Sequence, residues 1–489
     1  METTNARREK RHRIAAAAAA AVPDDVLFSN ILVHLPVKSL ARLKCVSRSW
    51  LAAVEDPAFV RRHLELSRAR PSAVVVVVPP KDGSISFHRF RQLQVVDTTA
   101  MDDSSSSSSE VELMLERAFL DGVEIDVATH CDGLIAVTTD AGETFVCNPA
   151  TKELVTLPLG ISCHNDCVVR DRFAAIGYDP WRNRYVVCRY FHRRYPNRAA
   201  VAEIGHEIFV LGGGGGGGSW EVTEDPPPTS AIVPSTPPAC IGGCFYWCTN
   251  EDVDNPSMLL RFSLHNHKFD MVPCHPGCSS DVFAFNTVSE LDGKLCYTHI
   301  ATETKTTSRL WMLDGGDMAR PEWSMRCCID VGDYVSCVSP LVAGGEHILL
   351  SVDENLYVYG ERSRVLEKVV DTAKVEYARS DGSKYKLGYD LYSQHFYVPY
   401  VESLVSIRFR SKTAAAAPSP SGPLRPRSPP LEQLAGKAGS SKNDCGGAPS
   451  LLFHPLIAPC AYAGCGHRIL PCGNGVLRYR PIYLLSIIY

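Results

Sequence analysis

Residues 122–359 repeat one short pattern, and that pattern restricts the fold more than any other feature. Cys131-Asp132-Gly133-Leu134 leads into the apolar run Ile135-Ala136-Val137. A second run at 144–147, a polar turn at 148–152 and a third run holding Leu154 and Val155 follow. Ile241-Gly242-Gly243-Cys244-Phe245-Tyr246-Trp247 opens a similar unit, continued by 259–264, a turn at 265–268 and Phe269. Leu291-Asp292-Gly293-Lys294-Leu295-Cys296-Tyr297 opens another, continued by 310–313 with a turn at 314–317. Two hairpins fit the series: 176–178 turning at 179–183 into 185–188, and 347–352 turning at 353–355 into 356–359. Short apolar runs bounded by Gly, Asn, Asp and Pro read as strands joined by tight turns, hence an antiparallel meander. At the ~45 residues of a propeller repeat, 70–408 has room for about seven blades. A β-propeller-like antiparallel domain is therefore the expected fold, with stacked β-sheets as the alternative. The valine run at 74–78 suits a buried strand, and a strand at 404–408 is expected to close the domain.

Residues 22–66 obey a different period. Pro23, Asp24 and Asp25 supply a proline and carboxylates suited to a helix N-terminus. Leu27, Phe28, Ile31, Leu32 and Leu35 then line one helical face until Pro36 stops the run. A second helix is predicted from Val37 with Leu40, Leu43 and Val46 along its stripe. Ser47 is placed to cap a third helix carrying Trp50 and Val54, and Pro57 after Asp56 opens a fourth through Phe59, Val60 and Leu64. Such a module is too small for a large core of its own and is expected to lean on a partner.

With Pro23, Asp25, Leu27, Ile31, Leu32, Leu35, Pro36, the Lys38-Ser39-Leu40 step, Val46-Ser47-Arg48 and Trp50 together, the stretch resembles the F-box, although Val22 stands where that family more often has Leu. The resemblance implies docking on a Skp-type adaptor through Pro23, Leu27, Ile31, Leu32, Leu35, Pro36, Leu40, Leu43, Val46 and Trp50. The following C-D-G-L, V-C-N-P-A-T-K-E-L, G-Y-D-P and G-C-F-Y-W, with Asn148-Pro149-Ala150-Thr151 and Gly177-Tyr178-Asp179-Pro180 the most specific pieces, resemble plant F-box proteins with a C-terminal F-box-associated, kelch-like interaction domain. The glycine run at 212–218 and the proline-rich 226–238 depart from that pattern and read as loop expansion.

The organisation expected is a disordered basic and Ala-rich leader at 1–21, an F-box at 22–66, an F-box-associated β-domain at 70–408 and a low-complexity tail at 409–489. A net charge of −4 over 489 residues offers no field that would favour nucleic acid or an anionic membrane as partner. Nineteen cysteines scattered among strands favour reduced thiols, hence cytoplasm or nucleus. The leader's five basic residues before 15–21 imitate a signal peptide, but alanine is weakly apolar and the F-box follows at once. No apolar run is long enough to span a membrane.

A search for catalytic chemistry finds none. The G-x-G-x-x-G within 212–218 opens no helix, His206-Glu207 lacks the second histidine of a zinc-protease helix, and G-x-S-x-G is absent. Cys163, His164 and Cys167, then Cys274, His275 and Cys278, and the tail's Cys460, Cys465, His467 and Cys472 have soft ligands close together. None shows C-x-x-C, so ordinary thiols are expected and neither metal nor cofactor is assigned. Cys240, Cys244 and Cys248 share one strand face by even spacing. Trp247 and Trp311 are expected in the core and Trp181, on a polar turn, outside as the candidate for target binding. With no RING pattern and no catalytic side chain, the chain reads as the non-enzymatic substrate-recognition subunit of an SCF-type (Skp-cullin-F-box) ubiquitin ligase. It would bridge the adaptor, and through it cullin and RING subunits, to an unidentified target protein. The alternatives are a propeller-type enzyme or carbohydrate-binding protein, and an F-box protein acting outside the ligase.

Overall fold

The structure, a computed structural model, describes residues 26–408 apart from 70–72, 79–83, 91–110, 119–124, 140–141, 161–172, 195–202, 213–217, 228–231, 233–235, 250–257, 275–285, 302, 318, 334, 336, 354 and 388–394. Three α-helices come first: α1 (Val37–Leu43), α2 (Arg48–Val54) and α3 (Pro57–Arg68). Their starts follow the predicted chemistry. Ser47 Oγ accepts from the Trp50 amide at 3.2 Å, and Asp56 Oδ1 from Ala58 and Phe59 at 2.8 and 3.2 Å. Pro57 occupies the first turn of α3, where its missing N–H costs nothing. The run before Pro36 departs from expectation. It is one wide π turn (Leu27–Ile31) followed by a 3-10 turn (Leu32–His34), neither with a side-chain cap. The tightening buries Leu32 and Val33 and leaves Ile31 outside.

The strands form six four-stranded antiparallel sheets. Blade 1 holds Ala73–Val78, Ser84–Phe90 and Val111–Ala118, and blade 2 Ile125–Cys131, Leu134–Thr139, Thr144–Asn148 and Glu153–Thr156. Blade 3 is Phe173–Asp179, Arg184–Arg194, Glu203–Val210 and Glu221–Val222; blade 4 is Ala239–Ile241, Cys244–Cys248, Met258–Ser263 and Lys268–Pro273. Blade 5 is Thr287–Leu291, Lys294–Ile300, Thr307–Asp317 and Arg320–Asp330; blade 6 is Val338–Gly344, His347–Val352, Asn355–Gly360 and Val365–Val370. The late strand Phe396–Tyr400 pairs with Ala73–Val78, Val398 opposite Val75, and so completes blade 1. The innermost strands of the six blades contact one another in turn all the way round, which makes the fold a closed six-bladed β-propeller.

Each gap between neighbouring blades holds its own apolar core. Leu134 and Ala136 face blade 3 with Ile176 and Phe209, while Ile135 and Val137 of the same strand face blade 1 with Phe87 and Phe145. Both faces of that strand are therefore buried, and it reads as a continuous apolar run instead of an alternating one. The blade count corrects the expected seven. Residues 371–387 lie outside the blades and include a small hairpin of Glu376–Ala378 and Lys384–Lys386. The closing strand is 396–400 and not 404–408, which is extended chain without ladder partners. The strand Thr307–Asp317 runs through the expected turn at 314–317, absorbing the glycines as a bulge between Leu313 and Gly315.

Candidate functional site

Two surfaces are candidates, the outside of the helical module and the mouth of the central channel. The module's core is Leu32, Val33, Val37, Leu40, Val54 and Phe59, with Leu27, Phe28, Leu35, Leu43 and Trp50 packed partly against it. Phe28 meets Trp50 and Phe59 edge-on at 5.4 and 6.2 Å between centroids. Of the residues expected at the adaptor, Leu32 and Leu40 thus face inward and hold the helices together. Leu27, Leu35, Leu43 and Trp50 are half-buried, whereas Ile31, Pro36 and Val46 are exposed, Val46 by 60%. Pro23 lies outside the described residues. Val26 and Leu51, which were not singled out, are exposed as well.

The recurring Asp-Gly and Gly-Gly pairs of the sequence meet at the channel mouth. Asp132-Gly133, Gly242-Gly243 and Asp292-Gly293 are the two-residue turns between the first and second strands of blades 2, 4 and 5. Each has positive φ at both positions, between 52° and 79° for the six residues. That is the hairpin turn that suits right-twisted strands, and it accounts for the recurring D-G and G-G. The innermost strands of all six blades end around a cavity of about 700 Å³, which Arg68 and Ala69 reach from the end of α3. Arg68 grips Asp132 with Nε to Oδ1 at 2.8 Å and Nη2 to both oxygens at 2.6 Å, and Tyr185 donates to Oδ2 at 2.9 Å. Glu290 opens into the same cavity. The surrounding blades desolvate its carboxyl and raise its pKa, Asp132 adds to the rise and Arg68 opposes it. Burial lowers His130 to about 4 against the pull of Asp132. Among the described residues, no group of three His, Cys, Asp or Glu is arranged to hold a metal ion. Cys274 is buried in the core between blades 4 and 5; the other thiols and imidazoles of the three metal candidates lie outside the described residues.

Trp181 sits beside this mouth on the first turn of blade 3, half exposed, its ring edge-on to His265 at 4.9 Å and closed over Gly243. Trp247 is buried and Trp311 is packed partly against the core between blades 4 and 5, as expected. Cys240 is a correction. It precedes the Gly242-Gly243 turn, so it lies on a different strand from Cys244 and Cys248 and packs toward blade 3. Burial pushes its thiol up to about 12, which leaves it un-ionised at neutral pH.

The most specific sequence pieces bind the fold together. Asn148 accepts from the amides of Ala150 and Thr151 and donates through Nδ2 to Ser403 and Val405 carbonyls at 3.0 and 2.9 Å. Asp179, fully buried, accepts from the Trp181 and Arg182 amides and from both Arg182 and Arg184 guanidinium groups. Burial alone would raise its pKa, and these hydrogen bonds outweigh it and hold the carboxyl below the usual range. Arg182 also donates to the Leu264 and His265 carbonyls at 2.7 and 3.2 Å, tying blade 3 to blade 4. Glu402 and the packing of Leu404 against the helices were not legible in the sequence, because no periodicity marks a contact made across hundreds of residues. Arg189 and Glu207 are close in the chain, but their pairing depends on the register of two neighbouring strands.

Comparison with known proteins places the two parts separately. Residues 83–359 match the family described as F-box associated beta propeller domain, and residues 23–62 match the F-box domain. An F-box protein of Arabidopsis thaliana is 26% identical over 317 residues, which is 63% of this chain and 75% of that protein. Putative F-box proteins of the same plant are 28% identical over 308 and 251 residues, covering 61% and 51% of this chain and 66% and 59% of theirs. Among solved structures, the Trypanosoma rangeli sialidase aligns over 61% of this chain and 54% of its own at 10% identity with a TM-score of 0.35, too loose to carry an argument.

Proposed function

This chain belongs to the F-box-associated β-propeller family, and from that premise we propose that it is the substrate-recognition subunit of an SCF-type ubiquitin ligase. The F-box binds a Skp-type adaptor, and through it cullin and RING subunits, while the propeller holds a target protein. The observation that carries the reading is the exposure of Ile31, Pro36 and Val46 on a helical module whose fold is otherwise filled by its own chain. Apolar side chains left outside a well-packed module suit burial by a partner. On this reading catalysis by the chain is proximity alone. A tethered target lysine meets the charged enzyme at raised effective concentration, so no acid, base or nucleophile is required of the propeller. Trp181 beside the channel mouth is the first residue to examine for target contact, and the working compartment is the cytoplasm or nucleus.

Co-purification with a Skp-type adaptor tests this, comparing the intact chain with Ile31→Asp plus Val46→Asp. Both positions are exposed, so the double variant should fold and yet lose at least tenfold in affinity. An intact, folded chain that binds no such adaptor would sink the proposal. Equal binding by the double variant would sink the assigned surface.

A further inference from the structure

The segment 401–408, which follows the ring-closing strand, runs between the helices and blade 2 and contributes side chains to both. Glu402 accepts from the Val37 amide at 3.1 Å, at the start of α1, and its other oxygen pairs with Arg89 of blade 1. Leu404 is buried in the helical core beside Leu32, Leu40 and Phe59. Val405 and Ile407, alternating with it, are buried in the core between blades 2 and 3, which also receives Leu64 of α3. The backbone is anchored at Ser403 and Val405 by Asn148, and at Ile407, whose amide donates to Glu153 at 2.9 Å. Gly133 makes the passage possible, since a Cβ there would collide with the Val401 carbonyl.

We infer that the F-box is not an autonomous module: its core is completed by the extended segment 401–408 that follows the propeller's closing strand, so the adaptor-facing helices acquire their stable form only once Phe396–Tyr400 has closed the ring. The argument is one of supply. A module of this size buries little apolar surface alone. Leu404 fills part of its interior and Glu402 satisfies an amide at the open end of α1 that no side chain of the module caps. Those two residues are carried on a strap whose start is fixed by pairing with Ala73–Val78. A chain whose propeller is open or truncated would then fail to present a competent F-box, which couples target-domain integrity to adaptor engagement. That last consequence rests on the adaptor reading; the structural coupling does not.

Hydrogen exchange on the full chain tests it with Leu404→Ala and Glu402→Ala. Amides of α1 and α2 should exchange at least tenfold faster in Leu404→Ala and severalfold faster in Glu402→Ala, with strands of blades 4 and 5 unchanged. Val405→Ala, on the same strap but facing the propeller, should loosen Leu134–Thr139 more than α1. Parental protection of the helices in both variants would overturn the inference, as would loosening of blades 4 and 5 by the same factor as the helices. Affinity for a Skp-type adaptor should fall in the same order as helix protection. An intact chain that binds no adaptor removes the functional reading, and the exchange result still decides the coupling.

Discussion

At Gly133 two demands meet. Its φ is +79°, a region costly for any residue with a Cβ, and the Val401 carbonyl occupies the space that a Cβ would need. Gly293 has nearly the same φ, +75°, but nothing within 4 Å of the Cβ position. Gly293→Ala should therefore cost about 1 kcal/mol, the backbone penalty alone, and Gly133→Ala roughly 2–4 kcal/mol, because the strap must also shift. Urea unfolding of the two variants separates the contributions. The repeated D-G was legible in the sequence as a turn; that one of its copies lies under a distant strap was not, since local turn chemistry is the same in both. Buried histidines give a second residue-level outcome. Burial, with His267 nearby, lowers His206 to about 3; burial with Arg379, opposed by Glu116, lowers His88 to about 4. An unfolded histidine titrates near 6.5, so between that value and 3–4 the unfolded state binds more protons and stability rises with pH. The contribution is complete above pH 6.5 and is lost as pH falls, by about 2 kcal/mol per histidine at pH 5. The urea midpoint should stay level from pH 8 to 7 and fall from pH 6 to 4, less steeply in His206→Phe.

Elements are legible where a local signal acts alone. Ser47, Asp56 and Pro57 announce their helices because caps are satisfied within a few residues. The first predicted helix formed with a different winding for a related reason. Its apolar spacing was correct, but burying Leu32 and Val33 against α1 while stopping at Pro36 demanded a change of winding that periodicity does not encode. The strands of blade 3 carry an element-level risk. Arg189 and Glu207 lie opposite each other on Arg184–Arg194 and Glu203–Val210, almost fully buried, with Nε to Oε1 at 2.9 Å and the guanidinium 4.3 Å above the Trp220 ring. Removing one charge strands the other away from water. Glu207→Leu should cost about 3–5 kcal/mol, and Arg189→Met with Glu207→Leu less than that single change. A double-mutant cycle by urea unfolding checks the sign; additive losses would show that the pair is not coupled.

At the scale of the molecule, closure is what the residue pattern left open. The cadence of strands identified a meander, but blade number depends on how much chain is spent between blades, and 371–387 spends it on a separate hairpin. Closure also places a five-valine strand, Ala73–Val78, one position away from the channel, where only Phe396–Tyr400 keeps it from being an open edge. A long flat apolar edge invites pairing with another chain. Ending the protein at Arg408 removes 409–489 and leaves every strand among the described residues, and the strap, in place. Its thermal midpoint should stay within about 2 °C of the parent, the shift expected for less than 1 kcal/mol in a domain of this size. Ending it at His395 removes the innermost strand of blade 1 and the 401–408 strap together. That chain should elute as aggregate in size exclusion and lose near-ultraviolet circular dichroism. If it instead remains monomeric with a parental midpoint, the pairing of 396–400 with 73–78 does not hold the ring shut.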